Sequence, residues 1–146
     1  MRQLRTAAGG GVKTLRLFTD GASRGNPGPA GVGIVIEDDQ GMRLWGGFRY
    51  VGTATNNKAE YLALIDGLHK VSEWRPDKLE VCMDSELVVK QLLGQYKVRD
   101  SELLRLHRQA DRLLRGFPKF TIRHVPREKN RGADALANRA IDEGVS

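Results

Sequence analysis

The order of extended and helical segments constrains the fold of this chain more than any other feature of its sequence. Three segments that favour extended structure come before any helical segment, at residues 15–19, 31–36 and 43–51. Turn-forming residues separate these segments at 21–29 and at 38–41. Three strands joined by short turns predict an antiparallel meander.

The rest of the chain alternates helical and extended segments. Residues 57–74 place Leu62, Ile65 and Leu68 on one face at helical spacing, and Pro76 marks the end of that helix. A strand at 79–83, helices at 85–95 and 101–115, a strand at 120–125 and a helix at 131–143 follow. The order βββαβααβα predicts an α/β fold, a mixed five-stranded sheet with crossover helices on its faces.

Composition limits the class of protein. A chain of 146 residues, 40% hydrophobic and 29% charged, is long enough for one compact domain and too short for two comfortable ones. Cys82 is the only cysteine, which excludes an intrachain disulfide and a multi-thiolate zinc site and favours a reducing compartment. No long apolar run is present, and residues 1–13 lack the apolar middle of a secretory signal. These features predict a soluble cytoplasmic protein.

The net charge of +6 favours a polyanionic partner without specifying a reaction. Three of these positive charges belong to Arg2, Arg5 and Lys13, which precede any acidic residue. Residues 1–13 therefore read as a disordered basic arm, or equally as a remnant of a start site, before a domain at 14–146.

Four carboxylates fall at positions where the predicted fold brings side chains together. Asp20 directly follows the first strand and Asp84 follows the strand at 79–83, while Glu60 and Asp134 lie in the first turns of two helices. If the two strands are parallel neighbours, these side chains meet at one sheet edge. Clustered carboxylates are the oxygen ligands that Mg²⁺ or Mn²⁺ prefers.

Each carboxylate also has a structural alternative. Glu60 lies three residues after Asn57, which is the spacing of a capping box, and Asp84 could cap the helix that follows it. Asp134 could favour a helix N-terminus through the dipole, and Asp20 could be a turn residue. From composition and spacing alone, the chain is a basic α/β domain that is suited to binding nucleic acid.

Four sequence motifs, found in order, resemble the type 1 ribonuclease H family over roughly residues 15–142. They are TDGASRGNPGPAG at 19–31, TNNKAE at 55–60, MDS at 83–85 and ADALA at 133–137. The resemblance implies the ribonuclease H-like fold and endonucleolytic hydrolysis of the RNA strand of RNA–DNA hybrids, leaving 5′-phosphate and 3′-hydroxyl ends. It also implies two divalent ions, Mg²⁺ or Mn²⁺, bound by Asp20, Glu60, Asp84 and Asp134. No association with a membrane and no obligate protein partner is expected.

The loops supply candidate substrate contacts. Gly21, Ala22 and Gly25 lack bulk, so the backbone there can approach a minor groove closely. Amide side chains at Asn26, Asn56 and Asn57 can bond bases and 2′-hydroxyls, which distinguish RNA from DNA. Thr55 matches a family position that contacts a phosphate of the DNA strand, or else caps a helix, and Glu86 stands where glutamine is common in the family.

The chain departs from many bacterial members in two places. The loop at 124–131 is short, so His124 resembles an aromatic family position more than the mobile catalytic histidine, and Arg127 is the better candidate for a cation near the phosphate. A basic protrusion has no room between Gln95 and Ser101. Four arginines recur at helical spacing on the next predicted helix: Arg105, Arg108, Arg112 and Arg115. This arginine stripe either contacts phosphates or is a solvated face.

One competing hypothesis belongs to another class of protein, and a second is another enzyme on the same fold. A catalytically silent ribonuclease H-like module would bind hybrids without cleaving them, and loss of a carboxylate would be its signature; all four are present. Another enzyme on this fold, such as a phosphatase, a transposase-type nuclease or an exonuclease, does not usually combine the glycine-asparagine loop with the Thr-Asn-Asn run. The resemblance therefore favours the hydrolase.

Overall fold

The computed structural model describes residues 13–145, and the predicted order of elements is confirmed. Short 3-10 turns follow the first helix at Ser72–Trp74 and precede the last one at Arg127–Lys129. The strands and helices, in chain order, are β1 Thr14–Ser23, β2 Gly28–Asp38, β3 Arg43–Ala54, α1 Asn56–Val71, β4 Lys78–Met83, α2 Glu86–Leu92, α3 Ser101–Leu114, β5 Phe120–His124 and α4 Arg131–Gly144.

The five strands form one mixed sheet, as the element order predicts. The spatial order is β3-β2-β1-β4-β5, with β1 antiparallel to β2, β2 antiparallel to β3, and β4 parallel to both β1 and β5. In the β1–β4 pair, Thr19 lies opposite Met83. The residues that come next, Asp20 and Asp84, therefore lie at the same edge of the sheet.

Helices cover both faces of the sheet. On one face α1 packs on β1 and β2, α3 packs on α1, and a continuous apolar core fills the space between them, including Leu17, Leu64 and Leu106. On the other face α4 packs on β1, β2 and β3. This packing brings the first turns of α1 and α4 to the sheet edge that carries Asp20 and Asp84.

Two local predictions are wrong. β1 continues through Ser23 because Gly21 to Ser23 keep pairing with β2, so Asp20 lies inside the strand and not after it. α1 begins at Asn56 and is capped by Thr55, whose Oγ1 accepts a hydrogen bond of 3.2 Å from the Lys58 amide. Glu60 is consequently the fifth helical residue and lies beyond the first turn.

The predicted basic arm at 1–13 lies outside the described residues except for Lys13. The Lys13 amide donates to Asp77 Oδ2 at 2.7 Å, and the Lys13 carbonyl accepts from the Asp77 and Lys78 amides. Within residues 13–145, no helix is long and apolar enough to cross a membrane.

The arginine stripe of the sequence lies on the outer face of α3. All four arginines are exposed, while Leu106 and Ala110 on the opposite side of the helix are buried. Arg115, the residue directly after α3, pairs with Asp111 at 2.9 Å, so one member of the stripe already has an acidic partner. The predicted amphipathic character of α3 is confirmed, and contact of the stripe with phosphates stays a prediction.

Candidate active site

Three carboxylates converge where β1 and β4 reach the same sheet edge. Asp20 and Glu60 are buried, with 5% and 8% of their surface exposed, and Asp84 is half-buried. One carboxylate oxygen from each of the three lies within 4.8 Å of the others. The parallel pairing of β1 with β4, inferred from the element order, is what brings Asp20 and Asp84 together.

Glu60 reaches this point because α1 lies directly on the backbone of β1. A Cβ atom at Gly21 would be 2.1 Å from the Ala59 carbonyl carbon, so only glycine permits this approach. The Gly21 amide donates a hydrogen bond of 3.1 Å to Glu60 Oε1. The glycine after Asp20 therefore determines both the position of α1 and the orientation of the Glu60 carboxylate.

Asp134 completes the cluster from the first turn of α4. Its side chain lines the same cleft as the other three carboxylates and raises the pKa of the Asp20 carboxyl. Asn138, one turn further along the helix, donates to the Asp134 carbonyl at 3.0 Å and to Asp134 Oδ1 at 3.4 Å. All four carboxylates singled out by the sequence thus face one site.

Asn130 attaches the start of α4 to the strand that carries Asp20. Its side chain is buried, and its Nδ2 donates to the Thr19 carbonyl at 3.0 Å. The Asn130 Oδ1 has no protein partner among the described residues. Because this bond joins the peptide before Asp20 to the residue before α4, it sets the distance between Asp20 and Asp134.

The structural alternatives for Asp84 and Glu60 do not hold. Ser85, not Asp84, caps α2, and its Oγ accepts from the Val88 amide at 3.3 Å. Thr55, not Asn57, caps α1, so Glu60 has no capping-box partner. Neither carboxylate is needed to cap a helix. A capping role therefore does not explain why both side chains lie beside Asp20.

The cluster is electrostatically strained when no cation is present. Burial, together with the negative charges of Glu60 and Asp84, raises the pKa of the Asp20 carboxyl to about 9. Burial likewise raises the pKa of Glu60 to about 8, while the Gly21 amide acts against that increase. A divalent cation would relieve both the desolvation and the repulsion, and hard cations prefer carboxylate oxygens.

A cleft of about 410 Å³ opens over the carboxylates. Of the predicted substrate-binding residues, Gly21, Ala22, Asn56, Asn57 and Arg127 line it. Residue types too common to single out in the sequence line it as well: Ser23, Ser85 and Asn138.

The other predicted contacts lie beside the cleft and not in its lining. The Asn26 Oδ1 accepts from the Asn56 amide at 3.0 Å, and Asn56 Oδ1 accepts from the Ser23 amide at 3.2 Å. Gly25 belongs to the same turn, with a φ of 122° that suits glycine, and Thr55 caps α1. His124 is exposed at the end of β5 and is not among the residues that line the cleft.

Comparison with known proteins identifies the family. A family model described as "Reverse transcriptase-like" matches residues 18–140. A protein of Methylococcus capsulatus named Ribonuclease H is 33% identical over 145 residues, covering 89% of this chain and 90% of the relative. The chain belongs to the ribonuclease H family. Ribonuclease HI of Halobacterium salinarum is 48% identical over 129 residues, which are 88% of this chain.

The similarity to other ribonuclease H proteins extends to three dimensions. The crystal structure of LC11-RNase H1 in complex with an RNA/DNA hybrid superposes with a TM-score of 0.86 at 42% identity, covering 90% of this chain and 99% of that one. The chain spans 65% of the length of the Halobacterium relative and 34% of the Bifunctional protein Rv2228c of Mycobacterium tuberculosis. The predicted family and ribonuclease H-like fold are confirmed.

The raised pKa values predict how the metal-free ribonuclease H domain responds to pH. A carboxyl whose pKa rises from 3.8 to about 9 on folding binds its proton more tightly in the folded state. The free energy of unfolding should therefore decrease as pH rises through that interval. Asp20→Asn has no carboxyl at this position, so its free energy of unfolding should not fall in this way. The difference in free energy of unfolding between Asp20→Asn and the parent, measured by urea denaturation with a chelator, should grow in favour of the variant between about pH 5 and pH 9. A difference that stays constant with pH would contradict this prediction.

Proposed function

We propose that this protein hydrolyses the RNA strand of RNA–DNA hybrids by endonucleolytic, metal-dependent cleavage that leaves 5′-phosphate and 3′-hydroxyl ends. The observation that carries the proposal is the convergence of Asp20, Glu60 and Asp84 within 4.8 Å, with Asp134 beside them. Relatives named ribonuclease H, and a similar structure solved with an RNA/DNA hybrid, support the substrate class. A silent hybrid-binding module is not favoured, because no carboxylate is missing or displaced.

The four carboxylates are suited to holding divalent cations, and we propose Asp20, Glu60, Asp84 and Asp134 as the ligands of two Mg²⁺ or Mn²⁺ ions. The donor set is entirely oxygen, and two of its members are buried carboxyls whose pKa values are raised by burial and mutual repulsion. When bound, the ions supply Lewis acidity, which lowers the pKa of a water and stabilises charge on the phosphate. The protein supplies the fixed positions of the ligands.

The walls of the cleft have the shape and chemistry to hold a hybrid. Gly21 and Ala22 present little side chain, so a sugar-phosphate backbone can approach the β1 backbone closely. Asn56, Asn57 and Ser23 offer amide and hydroxyl groups that can bond the 2′-hydroxyls that distinguish RNA from DNA. Gly25, Asn26 and Thr55 contribute by holding this wall in place, through the turn and the cap described above.

Arg127 is the cation that lines the cleft, and we propose that it binds a substrate phosphate. A guanidinium group can donate two parallel hydrogen bonds to phosphate oxygens. His124 is exposed at the end of β5, away from the cleft lining, so the auxiliary cation is Arg127.

We also propose a catalytic domain at 14–146 preceded by a basic arm. We propose a cytoplasmic location as well, which the single unpaired and buried Cys82 supports.

Cleavage assays test the proposal directly. Labelled RNA–DNA hybrid, double-stranded RNA and double-stranded DNA are incubated with the purified protein in Mg²⁺, Mn²⁺ or excess chelator. We expect only the RNA strand of the hybrid to be cut efficiently, and only with a divalent cation, because bare carboxylates repel phosphate and cannot activate water. Undiminished cleavage in chelator would reject the metal requirement, and binding of the hybrid with no cleavage in either metal would reject the enzyme.

A further inference from the structure

The segment that joins β5 to α4 is attached beside the carboxylates at both of its ends. β5 is parallel to β4 with His124 opposite Met83, and the Val125 amide donates to the Met83 carbonyl at 2.9 Å. At the other end, the buried Asn130 side chain donates to the Thr19 carbonyl at 3.0 Å. The segment therefore passes the sheet edge next to the residues that precede Asp84 and Asp20.

Three exposed cations on and beside this segment have no acidic partner in the described part of the chain. We call Arg123, Lys129 and Arg131 the basic rim. None of them takes part in an ion pair among residues 13–145, although many other cations of the chain do. Glu128 is the only acidic residue between positions 123 and 131.

Glu37 lines one cleft together with Lys129 and Arg43, but no ion pair joins Glu37 to the rim among residues 13–145. Glu80, on the strand next to Arg123, is already paired with Arg16 at 2.9 Å. The N-terminus of α4 adds positive potential at Arg131, since Asn130 makes no side-chain capping bond there. The backbone that carries the rim is ordered in β5, the 3-10 turn and α4, so binding a polyanion does not require the backbone to become ordered.

We propose that the basic rim binds the sugar-phosphate backbone of the hybrid outside the catalytic cleft. This inference rests on the proposed function, because it assigns a second contact to the same substrate. A cluster of carboxylates repels phosphate until cations are bound, so affinity must come from neighbouring groups. The rim adjoins the cleft through Arg127, which lies between Arg123 and Lys129 in the chain and lines the cleft itself. Phosphate contacts of this kind release counterions and are independent of sequence.

The test compares rim variants with a control that removes exposed cations elsewhere. Arg123→Ala/Lys129→Ala/Arg131→Ala removes the rim, and Arg123→Ala/Lys129→Ala removes two of its charges. The matched control for the double variant, Arg75→Ala/Lys119→Ala, removes one arginine and one lysine that are exposed and also lack ion pairs among the described residues. The control positions are remote from the site: Lys119 precedes the opposite end of β5, and Arg75 lines a separate cleft beside Asp77.

Fluorescence anisotropy with a labelled RNA–DNA hybrid in chelator measures Kd between about 50 and 300 mM NaCl. Each phosphate contact contributes about 0.9 to the slope of log K against log salt, so the rim variant should lose about 2 to 3 from the magnitude of that slope. Its Kd near 0.1 M salt should rise at least about tenfold, while the control keeps the slope of the parent. Arg123→Lys/Arg131→Lys should also keep it, because the charges remain.

The outcomes separate this inference from the proposed function. If the parent cleaves the hybrid in Mg²⁺ but the rim and control variants show the same salt slope, the rim is a solvated surface and the inference fails. If the parent binds the hybrid and never cleaves it, the proposed function fails while the rim comparison still decides the contact. A parent that does not bind the hybrid overturns both. With Mg²⁺ and saturating hybrid, the kcat of the rim variant should stay within about twofold of the parent, since the rim does not touch the reacting atoms.

Discussion

The Asp84→Asn variant should remain folded and lose at least about a thousandfold in the turnover of RNA–DNA hybrid, which corresponds to about 4 kcal/mol in barrier height. The substitution keeps the volume of the side chain and does not remove a helix cap, because Ser85 caps α2. It removes one full negative charge from the three carboxylates that lie within 4.8 Å of each other. Metal ligands act mainly by stabilising charge in the transition state, so kcat should fall more than hybrid affinity.

Thermal unfolding in chelator distinguishes loss of catalysis from loss of structure. The Asp84 charge helps to raise the pKa values of Asp20 and Glu60, so its removal relieves repulsion in the metal-free cluster. The Tm of Asp84→Asn without metal should therefore equal or exceed that of the parent. Asp39→Asn, at an exposed position in the turn after β2, removes the same charge and should leave turnover unchanged. A folded Asp84→Asn protein with near-parent turnover would disprove the four-carboxylate assignment.

The architecture could be predicted from the sequence because local periodicity and topology rules were sufficient for it. Leu62, Ile65 and Leu68 repeat at helical spacing, and in the structure Ile65 and Leu68 are buried while Leu62 packs against the same core. Three strands joined by turns before the first helix favour a meander, and the helices between the later strands supply the crossover connections that parallel pairing needs. The convergence of Asp20 and Asp84 followed from that topology.

What could not be predicted depends on contacts between residues distant in the sequence. The turn-rich composition of residues 21–29 predicts a loop, but Gly21 and Ala22 stay in β1 because β2 pairs with them and α1 packs on them. The bond from Asn130 to the Thr19 carbonyl joins positions 111 residues apart, and no local pattern signals it. Ser85 could have been identified as the α2 cap, because serine is a preferred capping residue and Glu86 begins the helix.

Gly21→Ala should have a large effect on both stability and activity. The added Cβ would lie 2.1 Å from the Ala59 carbonyl carbon and 2.4 Å from the Glu60 nitrogen, and both are backbone atoms of a helix that cannot yield locally. α1 must move away from β1 by about an ångström or more to restore normal contact distances. Overpacking of this kind, with loss of the bond from the Gly21 amide to Glu60, should cost about 3 kcal/mol or more in the free energy of unfolding.

The displacement should also reduce catalysis in the molecules that remain folded. Glu60 would move with α1 while Asp20 and Asp84 stay on the sheet, and a ligand misplaced by about an ångström can cost about a hundredfold in rate. Urea denaturation and kcat per folded molecule measure the two effects separately. Gly116→Ala provides the matched control, since its new Cβ would meet only the Leu113 carbonyl oxygen at 3.3 Å, and it should change both quantities little. Asp84→Asn should lose activity and keep its stability, whereas Gly21→Ala should lose both. A Gly21→Ala protein with the stability and turnover of the parent would mean that the contact between β1 and α1 does not position Glu60.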